Sequence, residues 1–132
     1  MTHADHGRSP RTASLDVAVR QLDRDVVLVD IAGEVDLSTH RDIEAMLFDV
    51  LEPPSPKILI ADLSEVSFFD ASGISTLVHA HQRAQTVDTD LRVVSDRRTV
   101  RRPLTTTGVD RDLHLYNDPS AAHEVPSPPA PS

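Results

Sequence analysis

Apolar positions along this chain recur at two alternating periods. Leu15, Val17 and Val19 alternate with Asp16, Ala18 and Arg20, which predicts an edge strand over 15–22. Val26-Val27-Leu28-Val29-Asp30-Ile31-Ala32 is a β-branched run closed by Gly33 and suits a central strand. The period then changes. Ile43, Met46, Leu47, Val50 and Leu51 follow helical spacing and predict a helix from about Thr39 to Leu51, with Ser38 or Thr39 as its cap and Pro53-Pro54 as its stop. The second half repeats the alternation. Ile58 to Leu63 reads as a buried strand, Ser72 to about Ala84 as a helix, and Leu91 to Val94 as another strand. Arg97 to Thr106 gives a weaker helix with Gly108 as its C-cap, and Pro103 is expected to kink or shorten it. Leu113 to Tyr116 makes a last strand, and Pro119 to Glu124 adds a turn or so of helix. Strands joined by segments of helical length imply an α/β fold: a mixed, partly parallel sheet of four to five strands, covered by three to four helices through right-handed crossovers.

The junction Val66-Ser67-Phe68-Phe69-Asp70-Ala71-Ser72-Gly73-Ile74 falls between a strand and a helix, and is expected to be strand, loop, then helix N-terminus. A helix start has unpaired N–H groups and a positive dipole end, so Asp70 can cap it and a phosphate on Ser72 would be well received. Ser72 as a nucleophile would need a base. His79 and His81 lie about two turns along the same helix, roughly 10 Å away at ~1.5 Å of rise per residue, too far to reach back. Asp70-Ala71-Ser72-Gly73 also lacks the first glycine of a nucleophile elbow. His81 falls on the apolar stripe and reads as a partly buried histidine, while His79 reads as exposed. Asp62, expected at a strand end, would suit a phospho-accepting receiver domain. The one lysine, Lys57, starts the same strand and so lies at the wrong end of the sheet. Ser72 therefore remains either a helix cap or a phosphate acceptor.

Composition narrows the function classes. The 132 residues suffice for one domain, placed at 14–118 between a disordered tail over 1–13 and a short helical turn with a Pro-rich tail over 119–132. His3, Asp5 and His6 fall in the first tail and read as solvated. The chain has no cysteine, which removes disulfides, thiolate metal sites and thiol chemistry. A net charge of -8 and 3% aromatic residues argue against nucleic-acid binding. Nothing reads as a signal peptide or membrane span, so a cytoplasmic location is expected, with no membrane partner. Glycines occur only at 7, 33, 73 and 108, which leaves no phosphate-binding loop, and neither a cofactor nor a metal is expected.

Three segments in order carry a family resemblance: Gly33-Glu34-Val35-Asp36-Leu37-Ser38-Thr39 opening a helix, Leu63 through Phe68-Phe69-Asp70-Ala71-Ser72-Gly73-Ile74, and Leu104-Thr105-Thr106-Thr107-Gly108-Val109 before a terminal strand. From about Leu15 to Asp118 the chain resembles the STAS domain of anti-sigma-factor antagonists, small bacterial regulators that are not enzymes. The resemblance implies that Ser72 is phosphorylated by an anti-sigma factor that is also a serine kinase of the histidine-kinase-like ATPase type. Unphosphorylated antagonist would bind that kinase and free a sigma factor, and a serine phosphatase would reset Ser72. It further implies partner-binding roles for Asp36, Ser38, Thr39, Asp70, Ala71, Ser72 and Gly73. Asp36 and Asp70 could equally serve as helix caps. Ala71 stands where many relatives carry a second hydroxyl, so Ser72 is the sole acceptor in its motif. The alternative is a STAS scaffold without a phosphorylation cycle, in a transporter or signalling complex. A nucleotide-binding module ranks last.

Overall fold

The computed structural model describes residues 15–124; the expected tail over 1–13, with His3, Asp5 and His6, and the Pro-rich part of the segment expected over 119–132 lie outside the described residues. The order is β1 (Leu15–Asp23), β2 (Val26–Val35), α1 (His40–Leu51), β3 (Ile58–Phe69), α2 (Ala71–Thr86), β4 (Asp90–Val94), α3 (Arg98–Thr107), a 3-10 turn (Val109–Arg111), β5 (His114–Tyr116) and α4 (Pro119–Glu124). The five strands lie in chain order, β1 antiparallel to β2 and the rest parallel. Each parallel crossover steps to the next strand in the same direction, so α1, α2 and α3 fall on one face. There Val17, Val29, Ile31, Leu59, Ala61 and Val93 pack with Ile43 and Leu47 of α1, Leu77 and Ala80 of α2, and Val100 and Leu104 of α3.

On the opposite face α4 lays Ala122 against Val26, Leu28, Ile60 and Val94. Arg92 is 0% exposed. Its Nε donates to Asp90 at 3.0 Å, its Nη1 donates to the Ala122 carbonyl, and its guanidinium sits 5.6 Å from the centre of the Tyr116 ring. A buried arginine needs such partners, since an unpaired charge in the interior is strongly destabilising.

Several expectations change. β2 does not stop at Gly33 but continues to Val35, and β3 does not stop at Leu63 but continues to Phe69. Asp62 consequently lies inside β3, with Oδ1 accepting from the Ser64 amide at 3.0 Å and the Ser64 hydroxyl at 2.5 Å. β4 pairs only with Ile58 to Asp62, so the distal half of β3 projects past it together with the end of β2. Pro103 neither breaks nor shortens α3, which runs through it to Thr107. The carbonyl it leaves without a helical donor belongs to Thr99, an exposed residue open to solvent. Gly108 is the left-handed C-cap expected, at φ 80°.

Candidate functional site

The projecting ends of β2 and β3 are register partners through Val35 and Phe69, so the turns that follow leave the sheet side by side. The Asp70 amide donates to the Val35 carbonyl at 3.2 Å and ties the two turns together. One turn carries Asp36, Ser38 and Thr39; the other carries Asp70, Ala71, Ser72 and Gly73. Strands this adjacent lie about 4.8 Å apart, which brings the Asp36 and Ser72 segments onto one rim.

In the second turn, Asp70 is the N-cap of α2. Its Oδ1 accepts the Ser72 amide at 2.8 Å and its carbonyl accepts the Gly73 amide at 3.0 Å. Ser72 is half-buried and Ala71 exposed, whereas Gly73 is buried. A Cβ at Gly73 would lie 2.5–2.9 Å from three atoms of the Phe69 ring, so glycine is required there by close approach.

The first turn is organised by Asp36. Its Oδ1 accepts from the Ser38 amide at 2.9 Å, the Ser38 hydroxyl at 2.8 Å and the Thr39 amide at 3.2 Å. The expected cap by Ser38 or Thr39 is therefore reversed: Thr39 makes no side-chain cap bond, and Ser38 and Thr39 serve as donors to Asp36. Thr39 Oγ1 instead accepts from the Asp36 amide at 3.0 Å and donates to the Glu34 carbonyl at 2.8 Å. Thr39 is 1% exposed, so like Gly73 it holds the rim's shape and offers almost no surface. The Ser38 hydroxyl bond is the main cause that holds the Asp36 carboxyl below its ordinary range. Oδ2 of Asp36 and Oδ2 of Asp70 make no hydrogen bond among the described residues.

Two further residues belong to this rim. Leu37, 77% exposed, stands between Asp36 and Ser38, and Phe68, 49% exposed, sits two residues before Asp70; they are the large hydrophobics exposed among the described residues. Leu37 was visible as an apolar residue inside a polar turn, on no strand or helix stripe. Phe68 was hidden because its neighbour Phe69 is buried. Glu34, the register partner of Phe68, adds a third carboxylate, and neither 34–39 nor 65–75 contains lysine or arginine. The rim is thus apolar at its crest and acidic around it.

The two histidines of α2 do not serve Ser72. His79 Nδ1 lies 3.2 Å from Oε1 of Glu44 on α1, and His81 is half-buried further along α2, held below its ordinary pKa by burial and then by His114. Lys57 reaches Asp25 at 4.0 Å, at the other end of the sheet. Among the described residues no group of acids and histidines could hold a metal ion, and no helix is long and apolar enough to cross a membrane.

Solved structures share this architecture. A crystal structure of an anti-sigma factor antagonist from Mycobacterium paratuberculosis is 29% identical, with TM-score 0.77 over 83% of this chain and 92% of that one. The phosphorylated form of the Bacillus cell fate determinant SpoIIAA is 17% identical, with TM-score 0.64 over 81% and 96%. The STAS domain of a SulP transporter from Vibrio cholerae is 23% identical, with TM-score 0.61 over 77% and 80%. The family model described as the STAS domain matches residues 16–122, from β1 into α4, and the chain belongs to that family.

Proposed function

We propose that this chain is an anti-sigma-factor antagonist whose rim around Ser72 binds an anti-sigma factor with serine kinase activity, frees a sigma factor while Ser72 is unphosphorylated, and releases the partner once Ser72 carries a phosphate. The observation that carries this reading is the placement of Ser72. It sits in the first turn of a capped helix, its hydroxyl making no hydrogen bond to a described residue, on a rim whose crest exposes Leu37 and Phe68. Such a serine is a substrate for another protein's chemistry. The solved relative with 29% identity is described as an antagonist, and the Bacillus relative has a phosphorylated form with the same fold. Asp36 and Asp70 shape the two turns through Oδ1 and keep Oδ2 available to a partner's donors. A phosphate adds about -1.5 to -2 charges beside these acids. In a desolvated interface an unmatched charge of that size costs ~3 kcal/mol or more, which lowers affinity by more than a hundredfold.

Binding of wild type, Ser72→Ala and Ser72→Asp to the purified cognate anti-sigma factor, measured by calorimetry, tests the switch. Ser72→Ala should bind like wild type and Ser72→Asp far more weakly. Incubation with the partner and ATP should add the mass of one phosphate to wild type and none to Ser72→Ala. Equal binding by both variants, with no mass shift, would instead support a scaffold role of the kind a transporter's STAS domain has.

A further inference from the structure

The first turns of α3 break the usual rules for a helix start. Arg97 is the N-cap residue and makes no side-chain cap bond, Arg98, Arg101 and Arg102 follow, and the helix contains no Asp or Glu. Cations at this end oppose the helix dipole, where acids are favoured. Natural proteins break such local rules at functional sites. Val100 and Leu104 are buried, so at 3.6 residues per turn Arg98, Arg102 and Thr105 lie on the outer side, and all three are exposed. Arg101 is engaged internally, Nε donating to the Ser95 carbonyl at 2.5 Å and Nη2 to Asn117 Oδ1 at 2.8 Å. Arg97 reaches Glu65 only at 3.9 Å with both side chains largely exposed. Arg98 and Arg102 make no hydrogen bond or ion pair with any described residue.

We propose that this outer face of α3 is a docking surface for an acidic segment of another protein, whose carboxylates pair with Arg98 and Arg102, one helical turn apart, with Arg97 at the edge. Charge complementarity sets the occupant's sign, and the surroundings set its class. The face is only about 15 Å long at ~1.5 Å per residue. Asp96 precedes it, Asp110 and Asp112 follow it, Glu65 borders it, and the chain as a whole carries a net charge of -8. A nucleic acid or an anionic membrane draws its affinity from many phosphates along an extended track and would be repelled by that rim. A short run of carboxylates fits between the acids, and guanidinium forks suit it through paired N–H···O bonds. This surface is independent of the Ser72 reading.

The test uses the full chain and a fluorescein-labelled Ala/Glu helical peptide with carboxylates one turn apart, followed by anisotropy in low salt. Binding is expected to fall about tenfold or more on raising salt to ~150 mM, as for an exposed charge pairing. Arg98→Glu/Arg102→Glu should abolish it, Arg98→Gln/Arg102→Gln should weaken it, and Arg24→Glu in the β1–β2 turn should leave it unchanged. Thermal unfolding of Arg98→Glu/Arg102→Glu should match or exceed wild type, since the reversal suits the helix end. A peptide that fails to bind, or that binds the reversed variant equally, overturns the proposal. So does tighter binding of a DNA duplex or of phosphatidylserine vesicles that the same variant loses.

Discussion

Substituting alanine for Gly73 sets two well-defined effects against each other. Alanine favours a helix over glycine by up to ~1 kcal/mol in an interior position, and by less in the first turn. Against that, the new methyl would stand 2.5, 2.7 and 2.9 Å from Cε1, Cδ1 and Cζ of Phe69. Carbon atoms in contact prefer about 3.5–4.0 Å, so the overlap is about 1 Å on three atoms of one ring. The ring cannot swing away cheaply, because Phe69 is 7% exposed and packs within the helix-side core. Overpacking of this kind costs ~1–3 kcal/mol, and three overlaps on a confined ring place it near the upper end. The net loss is then ~1–2 kcal/mol, or about 5–10 °C in Tm for a domain of this size.

Thermal unfolding followed by circular dichroism reads that number directly, and a double-mutant cycle identifies its source. Phe69→Leu trims the ring and carries its own burial loss. Adding Gly73→Ala to Phe69→Leu should then cost little or become stabilising, because the methyl meets a smaller neighbour. If Gly73→Ala alone melts at or above the wild-type temperature, the ring contact does not govern this position and the reasoning fails.

Three other outcomes follow from the same structure. Asp70→Ala removes the acceptor of the Ser72 amide and should lower stability in urea by ~1 kcal/mol, with Asp70→Asn close to wild type, since asparagine caps equally well. Asp30 is pushed above its ordinary value of 3.8 by burial and then by the neighbouring Asp62 charge, so its ionised form destabilises the native state at pH values above its folded pKa. Asp30→Asn should therefore raise the urea midpoint at pH 7, and the gain should vanish as the pH falls and the wild-type carboxyl protonates. Asp36 has the opposite sign. Its carboxyl is held below 3.8, so its contribution is present at neutral pH and is lost only as the pH drops below that value toward its folded pKa.

The elements most readable in the sequence were those whose burial keeps one period throughout. In α1, Ile43, Leu47 and Leu51 are buried at helical spacing, and in β1 Leu15 and Val17 alternate with their neighbours. The distal half of β3 escaped because it keeps no such period. The β2–β3 register shifts between Asp30 and Ala32 and again between Gly33 and Glu34, and each shift inserts an extra residue on β3. Bulges turn the following side chains to the other face. Leu63, Val66 and Phe69 are consequently buried at intervals of three, a pattern that belongs to neither regular element and reads as loop. In the candidate site, the placement of Asp70 and Ser72 at a helix start was legible from the local pattern, whereas Asp36 entered through the family resemblance. The division of labour in the site was not legible. Which of Asp36, Ser38 and Thr39 caps the turn depends on Thr39 being drawn inward to the Glu34 carbonyl, a contact set by how β2 ends.

That geometry also determines where a charge on Ser72 acts. An anion in the first turn of α2 gains from the helix dipole by about 0.3–1 kcal/mol. It is opposed by the Asp70 carboxylate two residues upstream, an interaction of ~1 kcal/mol or less for half-exposed charges in water. The two terms nearly cancel, and Ser72 makes no side-chain hydrogen bond to a described residue that the charge would break. Ser72→Asp should therefore unfold within about 1 kcal/mol of wild type, which is a shift of no more than ~5 °C. Water is what keeps the opposing term small. Once a partner covers Leu37 and Phe68 and excludes solvent from the rim between them, the same repulsion is no longer screened and the added charge loses its hydration. A switch built this way changes affinity and leaves the fold intact. If Ser72→Asp instead lost several kcal/mol in a thermal melt, the charge would be acting on the turn itself, and the two effects argued to balance here would not.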